Sequence, residues 1–274
     1  MSENSKDIRY DEDLHLEAYR FHGVSQGFPN HFHEYYVVGL MEAGTRTLIV
    51  NNREYRIGPG DLLTFNPMDN HACEQSGGLS MQYRCLNVAR EIMRETACAM
   101  PDGCDSPRFR EPVQYRTELA DIFRALHDGI MNDAPRLEKE ETFLVFMELL
   151  LSGHAEGESD EEHPAERREI EDVCAFLKQH YAERITLDML GEIAKLNKYG
   201  LVRMFTRCKG ITPYRYLETV RIGEAKKLLE KGVPPAQVAQ RTGFADQSHF
   251  SAYFNRFIGL TPGVYQSIFR EKNR

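Results

Sequence analysis

The hydrophobic positions of this 274-residue chain follow two different spacings. Between residues 32 and 90, short runs such as "YYVVGLM", "TRTLIV", "EYRI" and "DLLTF" are β-prone and alternate with turn sequences such as "NNR" and "GPGD". This arrangement is typical of a small β-barrel or sandwich, and "MQYRCLNV" fits as a later strand. Beyond residue 115, apolar residues recur every three or four positions, which predicts helices. The pattern therefore predicts an α+β chain of two domains, in which a β-barrel followed by helices precedes an all-α part.

Two amphipathic helices are predicted directly after the strands, over "YRTELADIFRALHDGIM" and "RLEKEETFLVFMELLLSG", with a break at "NDAP". The first carries an apolar stripe formed by Leu119, Ile122, Phe123, Leu126 and Ile130. The second includes "FLVFMELLL", which is too apolar for a surface that is freely exposed to water. This part of the chain either packs on the barrel or forms an interface with a second copy.

A twelve-residue pattern occurs twice in the last third of the chain: "FTRCKGITPYRY" at residues 205–216 returns as "FNRFIGLTPGVY" at residues 254–265. In each copy the glycine can take the left-handed conformation that ends a helix, and the threonine can cap the next helix. The proline suits the first position of that helix, where no N–H is needed. These residues are Gly210, Thr212 and Pro213 in the first copy and Gly259, Thr261 and Pro262 in the second. Each copy thus predicts a junction between two helices.

Two helix-turn-helix units are predicted around these junctions. The first, about residues 187–208, consists of "LDMLGEIAKL" capped by Thr186, a short turn, and "KYGLVRMFTRC". The second, about residues 235–258, runs from "PPAQVAQRT" through the turn "GFAD" to "QSHFSAYFNRF". One helix over residues 213–231 separates them and spans about 28 Å at about 1.5 Å per residue. Units at that distance can enter successive major grooves of B-DNA, which lie about 34 Å apart.

Charge divides the chain at the same place as the hydrophobic pattern. The net charge is −8, but residues 166–274 carry 19 Lys and Arg against 12 Asp and Glu, whereas residues 1–165 carry 15 against 30. The acidic run "HAEGESDEEHP" between the two parts has no hydrophobic periodicity. We therefore predict a ligand-sensing and dimerisation domain over residues 1–153, an acidic linker over residues 154–164 and a basic domain over residues 165–274. Only the basic domain suits a polyanion such as DNA.

The stretch from "ITLDMLGEIAKLNKYGLVRMF" to "GFADQSHFSAYFNRFIGLTPGVY" resembles the DNA-binding domain of AraC-type (AraC/XylS) transcriptional regulators over its whole length, and its last segment is close to the signature of that family. In this family the third and sixth helices insert into the major groove. The resemblance implies a sequence-specific DNA-binding regulator whose partner is double-stranded operator DNA. If the protein activates transcription, RNA polymerase is a further partner.

Carried over by position, the resemblance assigns eight residues to DNA. Base contacts fall on Tyr199, Val202 and Arg203 in the first recognition helix and on Gln247, Ser248 and His249 in the second, and phosphate contacts fall on Lys198 and Ser251. Arg203 can contact guanine O6 and N7, and Gln247 can contact adenine N6 and N7. Ala252 stands where several family members have arginine, so specificity is expected to rest more on the first helix. For His249, capping or packing beside Phe250 is the alternative to a DNA contact.

From "NHFHEYY" through "GPGDLLTFNPMDNHA", the acidic half is similar to the cupin-type sensor domain that precedes the DNA-binding domain in many AraC-type regulators. The resemblance implies a small-molecule effector in the barrel, with ligand-binding residues His31, His33, Tyr35 and His71. In metal-binding cupins, two such histidines, a glutamate and a later histidine hold a metal. Here the glutamate position falls near Val37 or Val38, so the set is incomplete. Three imidazoles alone can still bind zinc; lining an organic-ligand pocket or a structural role are the alternatives.

Further predictions concern partners and surroundings. In the family, the helices after the barrel commonly mediate dimerisation, so a homodimer is expected. We expect a cytoplasmic protein with no membrane partner, because no apolar run could span a bilayer and no N-terminal segment resembles a signal peptide. No cofactor is expected, with a divalent metal at the histidines as the alternative. The six cysteines form no C-x-x-C pair and suit isolated thiols.

Three functions are compatible with these features. The favoured one is a ligand-responsive transcriptional regulator that is not an enzyme and has no catalytic residues. The second is a metal-dependent cupin enzyme with an appended DNA-binding module, which the missing glutamate disfavours. The third is a ligand-independent DNA-binding protein whose barrel is only a scaffold for dimerisation.

Overall fold

The chain forms two compact units. A computed structural model describes residues 5–75, 80–100, 105–157 and 165–270. By their contacts, the first unit contains residues 1–27 and 33–159, and the second contains residues 28–32 and 160–274.

The N-terminal half is built from antiparallel strands. In chain order the described strands are β1 (Ser5–Asp11), β2 (Leu16–Val24), β3 (Phe28–His31), β4 (Tyr36–Ala43), β5 (Arg46–Val50), β6 (Arg53–Ile57), β7 (Leu62–Phe65), β8 (His71–Gln75), β9 (Met81–Val88), β10 (Pro107–Phe109), β11 (Val113–Gln114) and β12 (Ala155–Gly157). Six form one sheet in the order β1-β2-β9-β4-β7-β11, a second sheet contains β8, β5 and β6 in that order, and β10 pairs with β12.

Side chains of the two larger sheets meet inside a small barrel. In β5 every second residue, beginning with Arg46, is buried. Phe65 of β7 stacks on His71 of β8 with ring centroids 4.2 Å apart. The Nη2 atom of Arg46 donates to the carbonyl of Val24 in β2 at 2.6 Å. These contacts join strands of different sheets, as the predicted barrel requires.

Helices cover the face of the larger sheet that points away from the barrel interior. They are α1 (Arg90–Cys98), α2 (Ala120–Met131) and α3 (Arg136–His154). Their apolar cluster joins Val38 and Leu86 of the sheet to Phe123, Phe146 and Leu150 of the helices, and each of these side chains is at most 1% exposed. Burying a side chain of this size contributes about 1.5–3 kcal/mol. The predicted stripe of α2 is confirmed, since its members lie in this cluster or pack against it.

One side of α3 remains apolar and exposed. Its members, which we call the α3 strip, are Leu137, Leu144, Val145 and Leu149, with exposed fractions of 75%, 53%, 43% and 49%. The buried residues of α3, such as Phe146, face the opposite side and pack on the unit. Thus some apolar residues of α3 pack in the core, and the others are exposed on the surface.

The second unit is helical. Its described helices are α4 (Ala165–Gln179), α5 (Leu187–Ala194), α6 (Lys198–Lys209), α7 (Pro213–Glu230), α8 (Pro235–Arg241), α9 (Gln247–Ile258) and α10 (Pro262–Arg270). The two copies of the sequence repeat pack alike. Phe205 meets Tyr216, and Phe254 meets Tyr265, in T-shaped pairs with centroids 5.5 Å apart in both cases. Together with α5 and α8, the repeats form the two predicted helix-turn-helix units.

Several elements of the fold were not predicted. Strands β1 and β2 precede the first predicted strand, and helices α1 and α4 were not identified. β2 shows almost no alternation of buried and exposed residues, because one of its faces lines the barrel and the other packs under α2. A strand that is buried on both faces lacks the period-two signal on which the prediction depends.

The predicted linker begins inside the first unit. His154 is the last residue of α3, and Ala155–Gly157 form β12, which pairs with β10. Residues 158–164 lie outside the described residues. The acidic composition of the segment therefore says little about where the strand-and-helix part of the chain ends.

The described cysteines form no disulfide bonds. Cys73, Cys85, Cys98, Cys174 and Cys208 carry reduced thiols, and Cys104 lies outside the described residues. Burial raises the pKa of Cys73 and the pKa of Cys174 to about 11. Both are therefore neutral at pH 7 and pack as small apolar side chains.

Candidate DNA-binding surface and ligand-binding barrel

Two side-chain caps and one closely packed glycine fix the geometry of the first helix-turn-helix unit. The hydroxyl of Thr186 accepts a hydrogen bond from the Met189 N–H at 3.3 Å and caps α5. The Asn197 side chain accepts from the Gly200 N–H at 2.8 Å and caps α6. A Cβ atom at Gly191 would lie 2.7 Å from the Leu196 carbonyl oxygen, so the turn packs directly on this glycine. The turn therefore fixes the angle at which α6 leaves α5.

Helix α6 buries one face and exposes the other. Leu201 and Phe205 are 0% exposed, whereas Arg203 is exposed and Val202 is half-buried. Lys198 is exposed, and its Nζ lies 2.8 Å from Oδ1 of Asp188. Tyr199 is the second residue of α6, but its side chain lies outside the described residues. The face of α6 opposite the core therefore carries cationic groups.

The second helix-turn-helix unit has the same capped and half-buried recognition helix, but with different side chains. The Asp246 carboxylate accepts from the His249 N–H at 2.8 Å and caps α9, and Phe250, Phe254 and Phe257 are buried. The predicted DNA-binding residues Gln247, Ser248 and His249 are exposed, while Ser251 is half-buried.

Among the exposed residues of α9, His249 is held in place by contacts with other aromatic rings. The ring of His249 lies 4.6 Å from that of Tyr253 and 5.7 Å from that of Phe244, both in T-shaped contact. Thus the packing considered for His249 is present, although its partners are Tyr253 and Phe244. Ala252 is exposed and adds no charge to this face.

Helix α7 joins the two helix-turn-helix units, and hydrogen bonds hold it at both ends. Thr212 caps its start, next to Gly210 at φ 68°. Near its other end, Glu230 accepts a hydrogen bond from the Tyr265 hydroxyl at 2.8 Å. In its middle, Arg221 donates to the Tyr181 carbonyl at 2.7 Å. These contacts make α7 a fixed spacer between α6 and α9.

The predicted ligand-binding residues of the barrel lie at the ends of strands. His31 ends β3, and His33 and Tyr35 lie in the connection to β4. His31 and His33 do not share a strand, because β3 ends at His31. His33 stacks on Tyr35 with centroids 4.7 Å apart, and its ring centroid lies 5.0 Å from that of His71. Ring nitrogens of His33 and His71 lie within 4.8 Å of each other.

The environment of His71 keeps its ring neutral. Burial lowers the pKa of His71 to about 4, against the opposing effect of a hydrogen bond to the Asp69 carbonyl at 2.9 Å from Nδ1. A neutral imidazole can accept a hydrogen bond or ligate a metal. Val37 and Val38, the positions expected for a glutamate ligand, are both buried in β4. The cluster thus contains imidazoles without a carboxylate at that position.

A polar cavity of about 220 Å³ lies beside β2, β4 and β9 and was not predicted. It is lined by Arg20, Phe21, His22, Glu42, Gln82, Tyr83, Arg84 and Arg124. Its cations are already paired: Arg84 contacts Glu42 at 2.8 Å and Asp128 at 2.6 Å, and Arg124 contacts Glu42 at 3.0 Å. Arg20 also pairs with Asp128, at 2.5 Å. The network therefore ties α2 to the sheet.

A barrel domain followed by tandem helix-turn-helix units defines a DNA-binding regulator with a ligand-binding domain, and comparisons with known proteins agree. Residues 190–268 match a helix-turn-helix domain family, and residues 13–147 match the AraC-like ligand binding domain. Over 249 residues the chain is 45% identical to YbfI of Bacillus subtilis (strain 168), an uncharacterised HTH-type transcriptional regulator, covering 91% of this chain and 90% of YbfI. The chain belongs to the AraC family of transcriptional regulators.

Other relatives and solved structures agree with this assignment. The chain is 26% identical to the HTH-type transcriptional activator RhaS of Salmonella arizonae, covering 86% of each protein. A crystal structure of apo ToxT from Vibrio cholerae superposes with a TM-score of 0.56 at 12% identity, covering 98% of each chain, and shows that the fold is shared. Because these relatives are named as transcriptional regulators or activators, the chain is a regulator and not an enzyme. No helix in the described part of the chain is long and apolar enough to cross a bilayer.

Proposed function

We propose that the protein binds a specific operator sequence through α6 and α9, and that a small molecule bound in the barrel changes this binding. The main observation in support of this proposal is that each recognition helix has one buried apolar face and one exposed polar face. Phe205 and Phe254 are 0% exposed in the core, while Arg203 and Gln247 are exposed on the same two helices. In helix-turn-helix proteins the second helix of each unit lies in the major groove with its polar face toward the bases.

The spacer supports binding to two grooves. Helix α7 has 18 residues and therefore spans about 27 Å. Because both of its ends are held by hydrogen bonds, α6 and α9 keep one distance and one relative orientation. Successive major grooves on one face of B-DNA repeat every 34 Å or so, a distance that α7 and the turns at its ends can bridge.

Individual residues receive distinct roles in this proposal. Arg203 reads a guanine and Gln247 reads an adenine, each with about 1–3 kcal/mol of discrimination. Tyr199, Val202 and Ser248 contact neighbouring base edges. Lys198 and Ser251 contact phosphates, which position the protein without specifying sequence. His249, packed against Tyr253, lies at the edge of this surface, where a base or phosphate is within its reach.

The effector and the further protein partners complete the proposal. The effector enters the barrel near His31, His33, Tyr35 and His71, and it acts by favouring one DNA-binding state over another. RhaS is named an activator, which supports activation of transcription through contact with RNA polymerase. We place the protein in the cytoplasm, where operator DNA is accessible.

The α3 strip supports a homodimer. Its four apolar side chains lie on one helix and are 43% to 75% exposed. Clustered exposed apolar residues of this kind mark contact surfaces more often than open solvent faces. A symmetric pair of α3 helices would cover both strips and bring two DNA-binding units to one operator.

A divalent metal at the histidines is a second candidate ligand. Its support is the neutral His71 ring, whose orientation is fixed by the Asp69 carbonyl in the way that metal-binding histidines commonly are. Elemental analysis of full-length protein, before and after incubation with zinc, tests it. One equivalent of metal that is lost in both His33→Ala and His71→Ala supports a metal site, whereas substoichiometric metal after incubation with zinc contradicts it.

Selection from a random DNA library tests the proposed function. Full-length protein is expected to enrich a site with two short motifs about one helical turn apart, 10–10.5 base pairs from centre to centre. The Arg203→Ala and Gln247→Ala variants are expected to relax one motif each. Enrichment of no sequence would contradict the proposal.

A further inference from the structure

A buried arginine inside the barrel has no countercharge. Arg46, the first residue of β5, is 0% exposed and is in phase with the inward-facing residues Leu48 and Val50. Its Nη2 donates to the Val24 carbonyl at 2.6 Å. Its Nε and Nη1 atoms are buried and have no hydrogen-bond partner, and no ion pair among the described residues includes Arg46. The guanidinium is therefore only partly satisfied by the protein.

An arginine in this state is costly to bury. Nε and Nη1 together carry three N–H donors. Buried charges are normally paired, and buried donors are normally hydrogen-bonded. A partner for Arg46 must supply acceptor oxygens and negative charge, which are the properties of an oxyanion.

The neighbours of Arg46 limit the charge of that partner. Leu48 and the cross-strand residue Ile57 are each 1% exposed and apolar. Burial raises the pKa of Cys73 to about 11, although the nearby Arg46 guanidinium opposes the rise. One positive charge among neutral groups balances a single negative charge, whereas a phosphate monoester carries about −1.5 to −2 at pH 7.

We propose that Arg46 binds the carboxylate of the effector, which is a small monocarboxylic acid with an apolar body. The inference rests on the proposed function, because it specifies the chemical class of the effector for the same barrel. The planar guanidinium suits a carboxylate, with two parallel N–H donors to its two oxygens. The apolar side chains beside Arg46 then contact the rest of the acid.

Calorimetric titration of the full-length protein tests this proposal. The probes are sodium butyrate, hexanoate, octanoate and benzoate, each compared with its neutral amide, and inorganic phosphate. At least one acid is expected to bind ten times more tightly than its amide and than phosphate. Arg46→Met should abolish this preference, and Arg46→Lys should weaken it, because an ammonium is a point charge without the planar fork. Arg53→Met, which removes an exposed arginine of β6, should leave the preference unchanged.

A second readout is independent of whether the variants fold. The Nε–Hε resonance of Arg46 in the wild-type protein, assigned by sequential resonance assignment of isotope-labelled wild-type protein, should shift on addition of the acid but not of the amide. Equal binding of acids and amides, no binding of any acid, or an unchanged preference in folded Arg46→Met would overturn the proposal. If the protein selects an operator and responds to neutral compounds alone, only this inference fails. If it selects no DNA sequence, the proposed function itself fails.

Discussion

At the scale of single residues, α6 separates its side chains sharply between core and solvent. Arg203 is exposed between the fully buried Leu201 and Phe205. Because the core residues fix the rotation of the helix about its axis, the direction of Arg203 does not depend on contacts of its own. An arginine held in this way can discriminate bases through a defined bidentate geometry.

Replacing Arg203 by alanine is expected to weaken operator binding by about 1–3 kcal/mol and to relax preference at one guanine. Fluorescence anisotropy with the operator and with single-base variants measures both effects. Arg241→Ala, which removes an exposed arginine at the end of α8, is the matched control and should retain full base preference. Equal loss of affinity on every DNA sequence would contradict base reading by Arg203.

Lys198 is predicted to act through charge alone. Lys198→Ala should lower affinity for all sequences and reduce the slope of log K against log salt by about 1. Asp188→Asn removes the partner of the Lys198–Asp188 ion pair and should leave the slope unchanged or steeper. A Lys198→Ala variant with an unchanged salt slope but altered base preference would show that the phosphate role is wrong.

The burial of Arg46 has a local signal in the sequence. In "RTLIV" the arginine is in phase with the leucine and the valine, so a strand that buries these two residues also buries Arg46. His31, His33 and His71 carry a plainer sequence signal, because imidazoles are common ligands of metals and small molecules. Their ring contacts could not be foreseen, since they depend on the connection between β3 and β4 and not on a shared strand.

At the scale of elements, the helix-turn-helix units depend on glycines that have no room for a side chain. Gly191→Ala should destabilise the protein, because the new Cβ would lie 2.7 Å from the Leu196 carbonyl oxygen; overpacking of this kind costs about 1–3 kcal/mol. Gly223→Ala in α7 is the control, since nothing lies within 4 Å of its added Cβ, and it should stabilise by about 0.4–1 kcal/mol. Urea unfolding measures both, and equal effects would argue against a tight turn.

The α3 strip provides a prediction about assembly. Leu144→Glu places a charge within the exposed apolar surface and should shift the protein toward monomer, as measured by sedimentation equilibrium. Glu141→Gln, an exposed change on the same helix, should leave the mass distribution unchanged. If Leu144→Glu and the wild type have the same mass at every concentration, α3 is not the dimer interface.

Elements with local signals were predictable, and elements defined by tertiary packing were not. The ends of α6, α7 and α9 follow from caps and glycines, and the structure places them within a residue or two of the predicted positions. β2 is buried on two faces and shows no period, so its sequence resembled a connecting segment. The contrast reflects where the information lies: a cap is specified by three or four neighbouring residues, whereas a doubly covered strand is specified by distant partners.

At the scale of the whole molecule, two units of opposite charge share one chain, and the account requires them to be energetically coupled. A ligand can alter DNA binding only as far as its affinity differs between the two DNA-binding states. An effector at 100 times its dissociation constant should also stabilise the folded barrel by about 2.7 kcal/mol. Thermal unfolding of the full-length protein with and without the ligand measures this stabilisation.

The most direct test of the central claim is the affinity of the full-length protein for its selected operator relative to a scrambled duplex, at one salt concentration. Specific regulators of this kind prefer their sites by about 10³-fold or more. The account predicts such a ratio for the wild type and a ratio at least ten times smaller for the Arg203→Ala, Gln247→Ala double variant. Similar affinity for both duplexes, or an unchanged ratio in the double variant, would contradict it.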